Sequence, residues 1–187
     1  MSHQTSSQHP GTRVVVLSGN PRPGSRTRAA AVHVARETAR LLGSDQPVET
    51  VELADFAAEI LADTHPSADA ALRTVADAHV LVVATPVYKA SYTGLLKAFL
   101  DLYGPGGLSG VVAVPLVVSG NPAHALVGEV HLRPLLVELG AVVPTRALTI
   151  IESQLADLDP VVDRWWAEGG RALGAQVAAP ELAEARA

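Results

Sequence analysis

Residues 18–27 read SGNPRPGSRT and gather the groups that hold an anion. Ser18, Asn20, Ser25 and Thr27 supply side-chain donors, and Arg22 and Arg26 supply charge. Gly19 and Gly24 remove the side chains that would keep a ligand from backbone N–H groups. A helical pattern opens at this point, so the positive end of a helix adds to the field. Gly19 and Gly24 have the G-x-x-x-x-G spacing of a nucleotide P-loop, but Ser25 stands where its lysine belongs, which argues against triphosphate hydrolysis. No G-x-G-x-x-G is present, so the dinucleotide fingerprint is missing as well. A hydroxyl-rich loop without that lysine suits a monophosphate that is held and not cleaved. The same residues also suit an ordinary strand-to-helix turn, where Ser and Gly serve as caps.

A second joint, TPVYKASYTG at 85–94, offers different chemistry. Pro86, Val87 and Tyr88 can form a wall with backbone N–H groups aimed at the edge of a ring. Lys89 can favour negative charge on a reduced flavin. Taken singly, Tyr88 and Tyr92 read as amphipathic rings covering a core, and Lys89 as a solvated charge. Together with the phosphate loop they indicate a flavin site, one loop for the phosphate and the other against the ring. A third joint, VVSGNPAHAL at 117–126, supplies Ser119 and Gly120 as a far rim, with Asn121 and His124 as polar contacts or helix caps.

These loops need strands that end together. VVVL at 14–17 is short, apolar and β-branched, as in a strand covered on both faces. Helical spacing follows from Arg26 to Leu42, with Gly43 as the stop. VETVEL at 48–53 alternates, predicting an edge strand with one wetter face. Residues 54–68 read as a loop with a helical turn, and 69–78 as a helix. VLVVAT at 80–85 is a buried strand, followed by a helix over Tyr92–Leu102 and a break at GPGG, 104–107. VVAVPLVVSG at 111–120 is a strand in which Pro115 predicts a bulge or irregular pairing. A helix is expected over Ala123–Leu139, a fifth strand near VVPTRALTI, and a last helix over about 157–175, which Trp165 and Trp166 dock or tie to another subunit. Five βα units predict a parallel sheet with right-handed crossovers, ordered 2-1-3-4-5. Ligands then bind beyond the carboxyl ends of the strands, beside the switch between strands one and three. The expected organisation is a disordered leader over 1–12, one domain over 13–176 and a flexible tail over 177–187.

Bulk properties narrow the classes. The 187 residues suffice for one full core. A net charge of −5 with no basic stripe gives nucleic-acid binding no electrostatic footing. The absence of cysteine excludes disulfides, iron–sulfur clusters, thiolate metal sites and cysteine nucleophiles. His124 and His131 lie seven apart on one expected helix, roughly 10 Å, too far to share one ion. No G-x-S-x-G elbow supports a serine hydrolase. The polar leader lacks the pattern of a secretory signal, and no apolar run reaches membrane-spanning length, so a cytoplasmic protein is expected.

The stretches SGNPRPGSR, VATPVYKASYTGLLKAFLDL and GNPAHAL followed by HLRPLL resemble those of the NADPH-dependent FMN reductases of two-component monooxygenase systems, such as those of alkanesulfonate and methanesulfonate utilisation. The resemblance spans about residues 13–140. It implies a flavodoxin-like α/β three-layer sandwich, FMN as cofactor or co-substrate, NADPH as hydride donor, and reduced FMN passed to a partner monooxygenase. Carried over by motif, Ser18, Asn20, Arg22, Ser25 and Thr27 surround the phosphate, and Pro86, Val87, Tyr88 and Lys89 the ring. Hydride passes directly to the flavin, so no catalytic acid, base or nucleophile and no metal ligand is expected. Family members are often homodimers or homotetramers, and can carry an inserted Tyr or His that makes a π-bulge at the tetramer interface. Here Val130 lies at the position equivalent to the Tyr, with His131 next. The rival readings are a quinone or azo reductase that retains its flavin, and a flavodoxin-type electron carrier, which usually has flanking aromatics and a strongly acidic surface.

Overall fold

The apolar runs assemble into a five-stranded parallel sheet in the order β2-β1-β3-β4-β5. The strands are β1 Val14–Ser18, β2 Glu49–Glu52, β3 Val80–Pro86, β4 Val112–Ser119 and β5 Leu148–Ile151. The helices are α1 Arg26–Leu42, α2 Pro66–Ala76, α3 Gly94–Leu100, α4 Arg133–Glu138 and α5 Asp159–Glu184. This computed structural model describes residue 9 and residues 11–184, the last six by backbone alone. Every residue of β1, β3 and β4 is buried, because helices cover both faces. Val15, Leu17, Leu81, Val83, Ala113 and Val117 face one core with Leu96, Phe99 and Leu136 of α3 and α4. The alternate residues Val14, Val16, Val80, Val82, Val114 and Leu116 face the other core, with Ala30 and Val34 of α1 and Trp165 of α5. The edge strand β2 buries only Val51, as its alternation predicts.

Capping sets the helix ends. Ser25 caps α1 by accepting the Arg28 N–H (3.2 Å), and Gly43 ends it in the left-handed conformation (φ 71°) that glycine adopts without strain. Thr93 caps α3 in the same way through the Leu96 N–H (3.1 Å), which moves the start of that helix from the expected Tyr92 to Gly94.

Pro115 causes no bulge, contrary to expectation: it pairs in regular register with Val83. Val112 donates its N–H to His79 on the β3 side, and Ala113 donates to Val142 on the other. Alternation therefore turns the position of Pro115's missing N–H away from β3, toward the gap between the Val142 bridge and the first β5 pair, Leu116 with Leu148. The ladder has no partner strand there to lose. The same gap splits the expected fifth strand, so β5 begins only at Leu148.

The continuous helix expected over Ala123–Leu139 is also corrected. A 3₁₀ turn at Pro122–His124 is followed by a π-helical stretch at Gly128–Leu132 and then by α4. The Arg133 N–H reaches Gly128 O, one residue beyond the α-helical partner. Pro134 follows without an N–H and cannot make the next α-helical bond, which favours the wider turn. Thus the π-turn forms with Val130 and His131 in the segment. Gly128 is required by close approach, since a Cβ there would lie 2.6 Å from Ala147 Cβ.

His9, in the expected leader, is buried and donates its N–H to Leu42 O (2.9 Å); residues 1–8 and 10 lie outside the described residues. Helix α5 runs on to Glu184 through most of the stretch expected as a tail, of which 185–187 also lie outside. Trp165 donates its indole N–H to Arg146 O (2.9 Å), docking this helix beside β5. Among the described residues no helix is long and apolar enough to cross a membrane.

Candidate functional site

Parallel register brings the ends of β1, β3 and β4 side by side, and the three loops singled out from sequence leave from these ends. The first is braced from within. Asn20 Nδ2 donates to Thr27 Oγ1 (3.2 Å), and Asn20 Oδ1 accepts the Arg22 N–H (2.9 Å); Asn20 and Thr27 are both buried. Gly24 turns the loop in the left-handed conformation (φ 62°). Arg22 and Arg26 are exposed. Ser18 is fully buried at the strand end, and its hydroxyl has no hydrogen-bond partner among the described residues. A buried hydroxyl beside a helix N-terminus, with cations at the rim, fits a phosphate as an acceptor that would satisfy it.

The second loop is a tight hairpin. Tyr88 and Ser91 exchange both backbone bonds (2.9 and 3.1 Å), and the two residues between them, Lys89 and Ala90, both have positive φ (51° and 60°). Two left-handed residues in succession make a type I′ turn, normally filled by Asn-Gly. Such a conformation costs each L-residue roughly 1 kcal/mol, and this kind of strain concentrates at binding sites. Tyr88, Lys89 and Ala90 are exposed at the tip, while Pro86 is buried and Val87 half-buried at its base. The base is secured to β4 by the Val87 N–H bond to Val118 O (2.8 Å).

Two bonds stitch these loops together. Gly19 donates its N–H to Ala84 O (2.8 Å), and Thr93 Oγ1 donates to Gly19 O (2.5 Å). Thr93 is held in turn by its N–H bond to Thr85 Oγ1 (3.1 Å). Gly19 is confined against α3, since a Cβ there would stand 2.7 Å from Leu96 Cβ.

On the third loop, Ser119 is buried and its Oγ accepts the Asn121 N–H (3.1 Å), with His124 Nδ1 at 3.4 Å. Asn121 caps the 3₁₀ turn through the Ala123 N–H (2.9 Å). Below it, Glu129 and Arg133 form a clamp. Arg133 bonds Glu129 (2.7 Å), Val143 O (2.7 Å) and Thr145 O, and Glu129 accepts the Ala147 N–H (2.6 Å). Partial burial pushes the Glu129 pKa up, but the Arg133 and Ala147 hydrogen bonds and the charges of Arg133 and Arg146 together hold it below its ordinary value.

Sequence reasoning missed three residues. Thr93 carries a cap signal, a Thr just before a helical run, but its bond to Gly19 exists only in the folded sheet. Glu52 ends β2 opposite Ser18, accepts the Gly24 N–H (2.8 Å) and pairs with Arg28 (3.1 Å). Glu152 follows β5 and pairs with Arg26 (3.1 Å). Neither carboxylate has a local sequence mark, because each meets the loop from another strand.

The strand order, the helices on both faces and the loops at the β1–β3 switch point define a flavodoxin-like α/β protein. A solved NADH:FMN oxidoreductase (EMOB) in apo form superposes with a TM-score of 0.76 at 30% identity, covering 90% of this chain and 89% of that one. A WrbA-like flavodoxin from Agrobacterium tumefaciens, at 16% identity and TM-score 0.60, shares the fold. More particularly, the chain belongs to the NADPH-dependent FMN reductase family, whose model matches residues 12–155. It is 37% identical over 154 residues to an FMN reductase (NADPH) of Escherichia coli K12, covering 81% of this chain and 76% of the relative. It is 39% identical over 127 residues to the NADH-dependent FMN reductase SfnF of Pseudomonas putida, covering 66% of this chain and 68% of the relative. The chain is accordingly an NAD(P)H-dependent flavin reductase, with FMN and NADPH as its cofactors.

Proposed function

We propose that this chain binds FMN across the two stitched loops, reduces it with hydride from NADPH, and supplies reduced FMN to a separate flavin-dependent monooxygenase. The observation that carries this reading is the Thr93–Gly19–Ala84 stitch, which ties the start of the phosphate loop to both ends of the ring loop. Ser18, Asn20, Arg22, Ser25, Arg26 and Thr27 form the phosphate end. Pro86, Val87, Tyr88 and Lys89 form one wall of the ring site, and Ser119 and Gly120 the far rim. FMN, when bound, supplies the hydride acceptor; the chain's residues bind, orient and set the local charge. Lys89 at the tip favours a negative ring. No side chain is required to move a proton for the hydride step. Relatives named NADH-dependent FMN reductase SfnF and SfnE support the reduction of FMN, and the coupling to a monooxygenase rests on the family resemblance of the three loop motifs.

Self-association is part of the same reading. Leu126 is exposed in the turn before the π-helical stretch, Val130 on that stretch and Val137 on α4, with exposed Val142 beyond them, an apolar set that suits a second copy of this chain. Cytoplasmic residence follows from the use of NADPH as reductant.

The test is reduced-nicotinamide oxidation by purified protein with and without added FMN. Turnover that depends on added FMN, from colourless protein, is the expected result. A yellow protein that needs a quinone or azo acceptor would replace this reading with a retained-flavin reductase. Arg22→Ala with Ser25→Ala should weaken FMN binding roughly tenfold or more, given that hydrogen bonds to charged groups contribute about 1.5–3 kcal/mol. Unchanged affinity would move the phosphate elsewhere.

A further inference from the structure

Two carboxylates from other elements offset the positive charge of the phosphate loop, which an anion site does not require. Arg22, Arg26 and Arg28 lie on the loop and the first turn of α1, but Glu52 pairs with Arg28 and Glu152 pairs with Arg26. The two carboxylates differ in kind. Glu52 is nine-tenths buried, and it holds both the Gly24 N–H and Arg28, so it shapes the loop. Glu152 is half exposed, as is most of Arg26, so their pair adds little to stability. Glu152 also sits beside the third loop, with its Cδ 3.8 Å from where a Gly120 Cβ would be. It therefore bridges the phosphate loop and the far rim, and holds one of the two exposed loop arginines.

We infer that Glu152 competes with the FMN phosphate for Arg26 and so sets the affinity low enough for reduced FMN to leave. This rests on the assignment of the phosphate to the Ser18–Thr27 loop. A phosphomonoester carries close to two negative charges near pH 7, so Arg26 gains by changing partners when FMN arrives. Binding draws Arg26 away from Glu152 toward the phosphate, and release restores the Arg26–Glu152 pair. Glu152 is thus a positioning residue acting through Arg26, and its effect is confined to flavins that carry a phosphate.

The experiment compares FMN and riboflavin binding by fluorescence quenching in the wild type, Glu152→Gln, Arg26→Gln and the double variant. Glutamine keeps the volume of Glu152 and removes the charge. Glu152→Gln should bind FMN about two- to fivefold more tightly, the equilibrium worth of an exposed ion pair, with slower FMN dissociation. Riboflavin affinity should stay as in the wild type. In the Arg26→Gln background the same substitution should leave FMN affinity unchanged. Equal tightening of FMN and riboflavin would overturn the proposal, since the effect would then lie at the ring. Full tightening in the Arg26→Gln background would overturn it too, by showing simple repulsion. Unchanged or weaker FMN binding in Glu152→Gln overturns it outright. Failure of the underlying phosphate assignment is seen separately, as wild-type protein that does not prefer FMN to riboflavin.

Discussion

The phosphate loop and the ring hairpin leave adjacent strands, yet they are built on opposite terms. The first is over-determined: Asn20 bonds Thr27 and the Arg22 N–H, Glu52 holds Gly24 and Arg28, and Ser25 caps the helix. Its left-handed residue is glycine, at no conformational cost. In the second, two backbone bonds hold a turn whose central residues, Lys89 and Ala90, are both left-handed without being glycine. A fixed anion is well served by a rigid cradle whose donors are already in place. A ring that must admit and release a second reactant is better served by an exposed segment poised near the edge of its stability. The chain therefore places braces at one end of the proposed site and strain at the other.

Three substitutions break or sharpen that contrast. The largest effect belongs to Gly19→Ala. The new Cβ would stand 2.7 Å from Leu96 Cβ, in backbone-near atoms that cannot swing aside, so β1 and α3 must separate. A loss of about 2–3 kcal/mol is expected from overpacking, read as a lower denaturation midpoint. A loss under about 0.5 kcal/mol would show that the junction is softer than its contacts imply.

A smaller effect is expected below the third loop, where Glu129→Gln should cost roughly 1–2 kcal/mol by weakening charge-assisted bonds. The cost depends on pH. Glu129 has a folded pKa below its ordinary 4.5, so its ionised form contributes stability above about pH 4.5. That contribution fades as pH falls through the depressed folded value. The gap between wild type and variant should therefore narrow in acid below pH 4.5, in urea titrations at a series of pH values. A gap that widens in acid would contradict the clamp.

Smallest, and opposite in sign, is Ala90→Gly. Glycine accepts positive φ freely, so relief of strain should raise stability by roughly 0.5–1 kcal/mol, less the entropy that glycine adds to the unfolded chain. A calorimetric midpoint a few degrees higher is the expected sign. A lower midpoint would mean that the hairpin is not strained, and the contrast between the loops would lose one side.

Much of this was legible before folding was considered. The β-branched runs at 14–17 and 80–85, the helical spacing from Arg26 to Leu42 and the stop at Gly43 each carry their structure locally, because burial on both faces demands apolar strands and glycine alone takes a left-handed cap cheaply. Alternating strands and helices imply a parallel sheet, and with the wetter second strand they indicate its order. The chemistry of both principal loops is also local, since donors, cations and glycines sit within ten residues of one another. Tertiary contact decided what had no local mark. Pro115 is harmless because the strand beside it is interrupted, and the helix after β4 widens into a π-turn where Pro134 removes a donor and Gly128 lets the backbone press on Ala147. Thr93, Glu52 and Glu152 reach the phosphate loop from other elements, the start of α3, the end of β2 and the turn after β5. Sequence by itself thus determined the elements and the chemical character of each loop, because these depend on neighbours along the chain. Only the fold decided which carboxylates and hydroxyls brace that chemistry or compete with it, because those contacts join residues as many as 126 positions apart.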